Sequence, residues 1–312
     1  HLRVKTLMVL PPYKGAVFRG AFGNVLKRLV CVAPRTDCLD CLRRARCLYL
    51  AVFEPQPPPG YADAGKFRQA PRPYVLNPPL TSRQVFHPGE ILDFELVLIG
   101  PVVEALPYFI YVLEEIGRRG LGSERGKYQL TKVEQCITGQ EVPIFDGHSR
   151  TFTPFTPERV PSPLSQDREI NSVTVKFLTP LRLKEKGRLV TRLSFPLFII
   201  SLTQRLSLLG AFYGRKSCTP PLMEGAAIIG TYWSTLLKKA EDITVTHADL
   251  YWYDWERGSS RQGNSMNLGG LRGNLFLSGE LRPFLPYLRL GEIVNVGQGT
   301  TFGLGRYKLE TS

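Results

Sequence analysis

The sequence predicts an α+β protein made of two similar halves, each with the element order β-α-β-β-α-β. Strand-like alternation and helical periodicity run through the first half, stop at a proline-rich stretch, and start again in the second half. Each half also ends with a helix, a glycine-rich basic turn and a final strand, in "RRGLGSERGKYQL" (118–130) and "VGQGTTFGLGRYKLE" (296–310). This order, used twice, indicates two tandem ferredoxin-like (RRM-like) domains.

The N-terminal domain is expected to cover residues 1–142. Its clearest element is a helix from Gly15 to Val30, because apolar residues recur there at helical spacing. A cysteine-rich insertion at 31–47 follows that helix. The remaining predicted elements are strands at 2–10, 90–100 and 126–136, and a helix at 102–120.

Prolines are concentrated in residues 143–169, which we interpret as a linker between the two domains. The C-terminal domain then covers 170–312. One face of its aromatic strand, "ITVTHADLYWYDWE", is expected in the core, and the other is available to stack on bases. The predicted strands lie at 172–183, 243–256, 270–280 and 306–310, and the predicted helices at 194–213 and 281–292.

The chain has 312 residues and a formal net charge of +13, which makes a polyanion the first partner to consider. Nucleic acid and anionic lipid both fit that description. No segment reaches the roughly 20 uninterrupted apolar residues that cross a bilayer, so a membrane partner is not expected. We see no secretory signal peptide, and we therefore expect a cytoplasmic protein.

Four cysteines, Cys31, Cys38, Cys41 and Cys47, follow the first helix with the spacing C-x6-C-x2-C-x5-C. Disulfides are disfavoured in a long chain without an export signal. Four thiolates can instead complete a tetrahedral structural zinc site. An iron–sulfur cluster would use the same ligands, and a reduced cluster without metal is the third reading.

Four motifs together resemble the CRISPR-associated endoribonucleases that cut precursor CRISPR RNA, within the repeat-associated mysterious protein (RAMP) superfamily. They are "PPYKGAVFRGAFGNVLKRLVC", "CLYLAVFE" after the C-x-x-C pair, "YDWERGSSRQ" and the terminal "GQGTTFGLGRY". The resemblance implies cleavage of repeat RNA by its own ribose 2′-hydroxyl, without a catalytic metal. It also implies CRISPR repeat RNA, and other CRISPR effector subunits, as partners.

The resemblance gives the terminal glycine turn an RNA-binding role, because bare backbone amides can approach phosphates closely. The alternative is a tight turn packed against a neighbouring helix. Arg19, before the middle of the first helix, is expected to grip phosphate, and the loop in "WERGSSRQ" offers several further donors. The residues expected to contact RNA are Arg19, Arg257, Ser260, Arg261, Gln262, Gly297, Gly299, Thr300, Thr301, Gly303, Gly305 and Arg306.

The catalytic site is expected beside the first helix, where the resemblance leads us to expect histidine but the sequence has Asn24. Asparagine cannot exchange protons near neutral pH. A second expected histidine is Asn295, and the usual loop lysine is Gln298. Either the protein works without the histidine, or the histidine was replaced to inactivate it. The candidate catalytic residues are Asn24, Tyr13, Lys14, Lys27 and His247, the best placed of four histidines.

Three functions remain open at this point. The first is a metal-independent endoribonuclease that matures CRISPR RNA. The second is a non-catalytic RAMP subunit that holds a guide RNA, which the missing histidine favours. The third is a metal-stabilised structural or adaptor protein whose basic surface meets other partners.

Overall fold

The computed structural model divides the chain into two compact units, which are described separately. The first comprises His1–Arg72 and Leu76–Arg159, and the second comprises Pro73–Val75 and Val160–Ser312. The structure describes residues 1–57, 70–137, 140–157, 170–214, 226–254, 256–258 and 265–311.

The second unit contains a four-stranded antiparallel sheet with the order β14-β17-β11-β18. In chain order these are its second, third, first and fourth strands, which is the ferredoxin-like arrangement. The central strand β11 alternates buried Val173, Val175 and Phe177 with more exposed residues, as expected for a sheet with helices on one face only. The strands are β11 (Ser172–Leu181), β12 (Lys184–Glu185), β13 (Arg188–Leu189), β14 (Thr244–Tyr253), β15 (Glu256–Gly258), β16 (Ser265–Asn267), β17 (Gly270–Ser278) and β18 (Tyr307–Thr311).

Helices of the second unit cover the buried face of this sheet. Phe195 and Phe198 of α4 are fully buried, and Phe195 meets Phe284 edge to face with ring centroids 5.0 Å apart. Ser194 caps α4 by accepting a hydrogen bond from the Leu197 amide. The helices are α4 (Phe195–Tyr213), α5 (Ala226–Glu241) and α6 (Leu285–Val294), with a 3-10 helix at Thr300–Phe302.

Within the part of the chain that the structure describes, one helix, α4, is long and apolar enough to cross a membrane by length and composition alone. Its residues Phe195, Phe198, Ile199 and Leu202 belong to the hydrophobic core of the second unit. The helix is therefore accounted for as a core helix.

The first unit repeats part of this plan. Its sheet has the order β5-β1-β7, the third, first and last strands of the same fold. Helix α1 packs on α3 through Phe22 and Phe109, whose ring centroids are 5.4 Å apart. The helices are α1 (Gly15–Val30), α2 (Leu48–Phe53) and α3 (Leu106–Arg119), with 3-10 helices at Arg44–Arg46 and Gly100–Ala105. The strands along this part of the chain are β1 (Leu2–Val4), β2 (Met8–Val9), β3 (Tyr74–Asn77), β4 (Val85–Phe86), β5 (Ile91–Leu92), β6 (Glu95–Leu98), β7 (Tyr128–Leu130), β8 (Lys132–Ile137), β9 (Gln140–Asp146) and β10 (Thr151–Phe152).

In both units a tyrosine ties the strand that follows the glycine-rich turn, β7 or β18, to the helix that precedes the turn. The Tyr128 hydroxyl donates to the Leu113 carbonyl at 2.8 Å, and the Tyr307 hydroxyl donates to the Leu288 carbonyl at 2.5 Å. A helix glycine lies under each ring, and a Cβ there would come within 3 Å of Tyr128 in one unit and of Tyr307 in the other. In each unit the tyrosine therefore fixes together the helix and the strand that the glycine-rich turn connects. The same arrangement occurs in both halves and is a structural repeat.

The structure differs from the sequence prediction mainly where a strand is interrupted. The strand predicted at 2–10 is broken between β1 and β2, because the amides of Lys5 and Thr6 both donate to the Lys127 carbonyl. The linker predicted to begin at Pro143 overlaps β9, which pairs with β8 and β10. The sequence did not predict helices α2 and α5 or strand β3, because the apolar residues of these segments show no clear helical or strand periodicity.

Candidate nucleic-acid interface

The terminal glycine turn, residues 297–305, has four glycines with positive φ. The φ angles are 84° at Gly297, 79° at Gly299, 82° at Gly303 and 68° at Gly305. Residues with a Cβ rarely adopt these angles, so the backbone conformation itself requires glycine here.

The groups that approach these glycines belong to the chain's own second unit. A Cβ on Gly305 would lie 1.8 Å from the Val296 carbonyl oxygen, and one on Gly297 would lie 2.5 Å from the Arg182 carbonyl oxygen. The Gly305 amide donates to the Pro180 carbonyl at 3.0 Å, and the Gln298 amide donates to the Arg182 carbonyl at 2.9 Å. The turn is therefore a tight turn, as the alternative interpretation expected, but it packs on the end of β11 and not against a neighbouring helix.

This packing also uses side chains that the sequence assigned to RNA contact. Thr300 and Thr301 are each only 6% exposed. Gln298 is exposed, and Gly297, Gly299, Phe302 and Arg306 are partly exposed. The surface that the turn presents to a ligand is therefore the stretch 297–299 and the neighbouring Phe302 and Arg306.

Buried polar groups hold the backbone just before the turn, at Asn295. Asn295 is fully buried with φ 57° and ψ 174°, a backbone conformation that residues with a Cβ rarely adopt, and its side-chain amide donates to the Leu304 carbonyl at 3.2 Å. Arg205 donates to the carbonyls of Val294 and Asn295 at 2.8–3.0 Å, at the C-terminal end of α6. Burial lowers the pKa of Arg205 to about 10. The burial and hydrogen bond of Asn295 therefore explain an asparagine at this position. Arg205 also stabilises the backbone before the turn, which the sequence pattern did not reveal.

The face of the sheet opposite the helices carries polar and aromatic groups in register. His247 of β14 pairs with Phe276, and their ring centroids are 5.4 Å apart. Tyr251, 50% exposed, pairs with Arg272. β14 is an edge strand whose Val245 and Leu250 pack against the core, so one of its faces meets the core as predicted, but Tyr251 and Trp252 are exposed. This open face places His247 among groups that can stack on bases.

Helix α1 places the other candidate residues in the first unit. Asn24 is exposed on this helix. The guanidinium carbon of Arg19 lies 5.4 Å from the centre of the Phe53 ring, a cation–π contact. Lys27 lies over the Tyr49 ring, with its Nζ 5.1 Å from the ring centre. Burial lowers the pKa of Lys27, but the Cys38 thiol and the Tyr49 hydroxyl offset this effect and the net pKa is raised. Lys27 is therefore a cation and not a base at neutral pH.

Lys14 precedes α1 and is fully buried. Its Nζ donates to the carbonyls of Pro11, Pro12 and Thr81 at 3.4, 3.1 and 2.6 Å. Burial, followed by repulsion from Arg83, lowers the pKa of Lys14 to about 8. The Lys14 ammonium, bonded to three carbonyls, fixes the backbone at the start of α1. Because the side chain is buried, it cannot contact RNA in this conformation. Tyr13, beside it, is half-buried.

The predicted metal ligands Cys31, Cys38, Cys41 and Cys47 line one small cavity between α1 and α2. All four thiols are free and half-buried. Among the described residues, however, no group of three or more His, Cys, Asp or Glu side chains is already gathered around a metal position.

Several predicted residues lie elsewhere. Ser260, Arg261 and Gln262 are outside the described residues, as is the side chain of Arg257. The ring nitrogens of His1 contact Asp93 and Glu134 at 2.6 and 2.7 Å. His87 and His148 are exposed. The structure therefore brings together the glycine turn, Asn295 and Arg205 in one unit, and Asn24, Arg19 and Lys27 in the other.

Two family models match this chain. Residues 1–157 match AF_1859_N, described as an N-terminal domain. Residues 175–307, which contain the glycine turn and most of the sheet but only the first residue of β18, match the CRISPR-associated endoribonuclease Cas6. The chain belongs to the proteins with the AF_1859_N N-terminal domain, and its C-terminal part is similar to Cas6.

Relatives and solved structures agree with a Cas6-like fold. A protein of Archaeoglobus fulgidus described as uncharacterized is 28% identical over 97% of this chain and 93% of its own length. A Cas6 product complex covers 99% of this chain and 98% of its own, with a TM-score of 0.57 and 17% identity. A Thermus thermophilus Cas6 covers 99% and 97%, with a TM-score of 0.51 and 15% identity. A partial Cas6-RT-Cas1–Cas2 complex contains a chain of which this protein covers 45%, with a TM-score of 0.52 and 15% identity. That assembly is a property of the matched protein.

Proposed function

We propose that this chain binds CRISPR repeat RNA and cleaves the precursor transcript by attack of a ribose 2′-hydroxyl on the scissile phosphate. The observation that carries the proposal is the Cas6 family match over 175–307, which includes the glycine turn and three of the four sheet strands almost entirely. The net charge of +13 favours a nucleic acid over a neutral ligand. The proposed setting is the cytoplasm, with other CRISPR subunits as further partners.

The reaction needs little from the protein, because the RNA supplies its own nucleophile. A base must accept the 2′-hydroxyl proton, an acid must protonate the leaving 5′-oxygen, and cations or N–H groups must stabilise the extra phosphorane charge. None of these roles requires a metal.

The α1 surface can supply charge stabilisation and orientation. Lys27 stays protonated at neutral pH, which suits it to stabilise the phosphorane and excludes it as the base. Asn24, one helical turn before Lys27, can hydrogen-bond a phosphate or hydroxyl oxygen but cannot exchange protons. Cleavage in this arrangement would depend on positioning the 2′-hydroxyl in line with the leaving oxygen, which contributes rate without proton transfer.

The second candidate function is RNA binding without cleavage. Asn24 favours it, since no described residue of α1 is a histidine and the buried Lys14 is withdrawn from the surface. His247 is the remaining exposed histidine on the sheet face of the second unit, and its ring could accept a proton if RNA reaches that face.

The decisive experiment incubates the purified chain with its repeat RNA in EDTA. Cleavage that leaves a 5′-hydroxyl supports the enzyme, and tight binding with intact RNA supports the binding subunit. Loss of cleavage on adding EDTA would contradict the proposed mechanism.

Asn24→His tests the position of the site, with Asn24→Gln as the matched control that keeps an amide. A general acid or base contributes typically 10²- to 10⁴-fold, so we expect His to raise the single-turnover rate by about that factor and Gln to leave it unchanged. An equal rate for both variants would place the site away from α1.

A further inference from the structure

We infer that the segment from Cys31 to Cys47 binds one zinc ion through its four cysteines, joining the end of α1 to the start of α2. Cys31 is the C-cap residue of α1, and Cys47 is the N-cap residue of α2. Lys27, which the proposed RNA chemistry uses, lines the same cavity as the cysteines, but the inference does not rest on that chemistry.

The first observation is the direction of the side chains in this segment. Between Cys31 and Cys47 no residue is fully buried, and the half-buried ones are the four cysteines and Ala33. The larger apolar residues point outward, with Val32 67%, Leu39 57% and Leu42 101% exposed. In a segment ordered by the hydrophobic effect, the leucines would be buried and burial of the smaller thiols would not be required. In this segment the thiols are buried more than the leucines.

The second observation is the size of the space that the thiols enclose. All four line the same cavity, whose volume is about 20 Å³. A space near 10–15 Å³ holds a single water-sized sphere, so this cavity fits one ion. An iron–sulfur cluster, with several iron and sulfide ions, needs more room. Four thiolates around one ion form the tetrahedral shell that zinc prefers.

The described thiols do not yet form a coordination shell, so binding includes a local rearrangement. Rotation of the cysteines about χ1 moves each sulfur while the backbone turns stay in place. Hydrogen bonds already hold those turns, from Arg44 to the Cys41 carbonyl and from Cys47 to the Arg44 carbonyl. Coupling of metal binding to local folding is usual for small zinc sites, and it releases the thiol protons.

The test measures metal on the full chain, purified under reducing conditions, loaded with zinc and dialysed. We expect about one zinc per chain, as for a closed four-cysteine site. We also expect Co²⁺ to replace it and give the intense visible absorption of a tetrahedral thiolate complex. Cys41→Ser should lose most of the bound metal. Cys136→Ser is the matched control, since Cys136 is exposed on β8 outside the cluster, and it should keep the full amount.

Limited trypsin digestion provides a second readout that needs no RNA. Arg35, Arg43, Arg44 and Arg46 are exposed within the segment. If zinc closes the segment, a chelator should speed cleavage at these arginines by about tenfold or more in the parent protein. Cys41→Ser should be cleaved quickly with or without chelator.

Three outcomes would overturn the inference. They are a metal content in the reconstituted parent no higher than in Cys41→Ser, a brown iron-containing protein, and disulfides that persist in reductant. Thermal unfolding of each variant shows that the rest of the chain is folded, so a lost site is distinguishable from a lost fold.

Discussion

Replacing Gly305 by alanine should destabilise the second unit and loosen the glycine turn. Gly305 has φ 68°, and an added Cβ would meet the Val296 carbonyl oxygen at 1.8 Å and its carbon at 2.8 Å. Both partners are backbone atoms of a rigid pair, because the Val296 amide donates to the Gly305 carbonyl at 3.1 Å. The added methyl group therefore cannot be accommodated by a side-chain movement.

Gly187→Ala is the control that separates backbone strain from crowding. Gly187 has φ 83°, but nothing lies within 4 Å of its added Cβ. A left-handed angle costs a residue with a Cβ about 1–2 kcal/mol. Overpacking that moves backbone costs about 1–3 kcal/mol more. We expect about 1 kcal/mol for Gly187→Ala and about 2–4 kcal/mol for Gly305→Ala.

The assay is thermal and urea unfolding of the parent and both variants, followed by repeat-RNA binding below the transition. For a unit of this size the Gly305→Ala loss corresponds to a fall in Tm of about 5–15 °C. RNA affinity should fall for Gly305→Ala alone, because only this change moves the exposed stretch 297–299. If both variants lose equal stability, the turn is not packed as described here. If Gly305→Ala unfolds early but binds RNA normally when folded, the turn does not contact RNA.

Two further predictions concern buried cations. Lys14→Met should remove a pH dependence, because the folded pKa of Lys14 is lowered to about 8 while its unfolded value is 10.5. Between these values only the unfolded state keeps the proton, so the unfolding free energy of the parent should rise with pH relative to Lys14→Met, by at most about 1.4 kcal/mol per pH unit. Parallel stability curves from pH 7 to 11 would contradict the pKa shift. Arg205→Met should cost about 1–3 kcal/mol in urea unfolding, since the Val294 and Asn295 carbonyls lose their donors. The exposed Arg192→Met is its control and should change stability by less than about 0.5 kcal/mol; an equal effect would mean that Arg205 does not support the turn.

Most of the second unit could be predicted from the sequence because its signals are local. The helix predicted at 194–213 is observed as Phe195–Tyr213, and the strand predicted at 270–280 is observed as Gly270–Ser278. Helix α1 begins and ends at the predicted residues, Gly15 and Val30. In each case the period of apolar residues is continuous, so neighbours in the chain carry the information.

The first unit was less predictable because long-range pairing interrupts its strands. The chain from 132 to 152 forms a separate three-stranded sheet, β10-β9-β8. The sequence predicted most of β8 as a strand, but from residue 143 onward it indicated a proline-rich linker. Pro143 lies within β9 at a position next to a register shift in β8. Nothing in the local composition distinguishes such a strand from a loop.

The candidate site depended even more on tertiary contacts. The sequence identified the glycine turn, the four cysteines and the position of Asn24. Whether each group faces solvent or its own domain could not be read from spacing. Lys14 looked like an accessible cation beside α1, but the Thr81 carbonyl, 67 residues further along the chain, helps to bury it.

The sequence by itself determined the two-half α+β plan, the helices and central strands of the second unit, and the basic charge that points to RNA, because these follow from composition and the periods of nearby residues. Only the tertiary structure decided that the terminal glycines make room for the chain's own carbonyls and that the cysteines rather than the leucines of 31–47 face inward. Those outcomes depend on which distant backbone atoms approach each residue, and the linear order of residues does not contain that information in a local form.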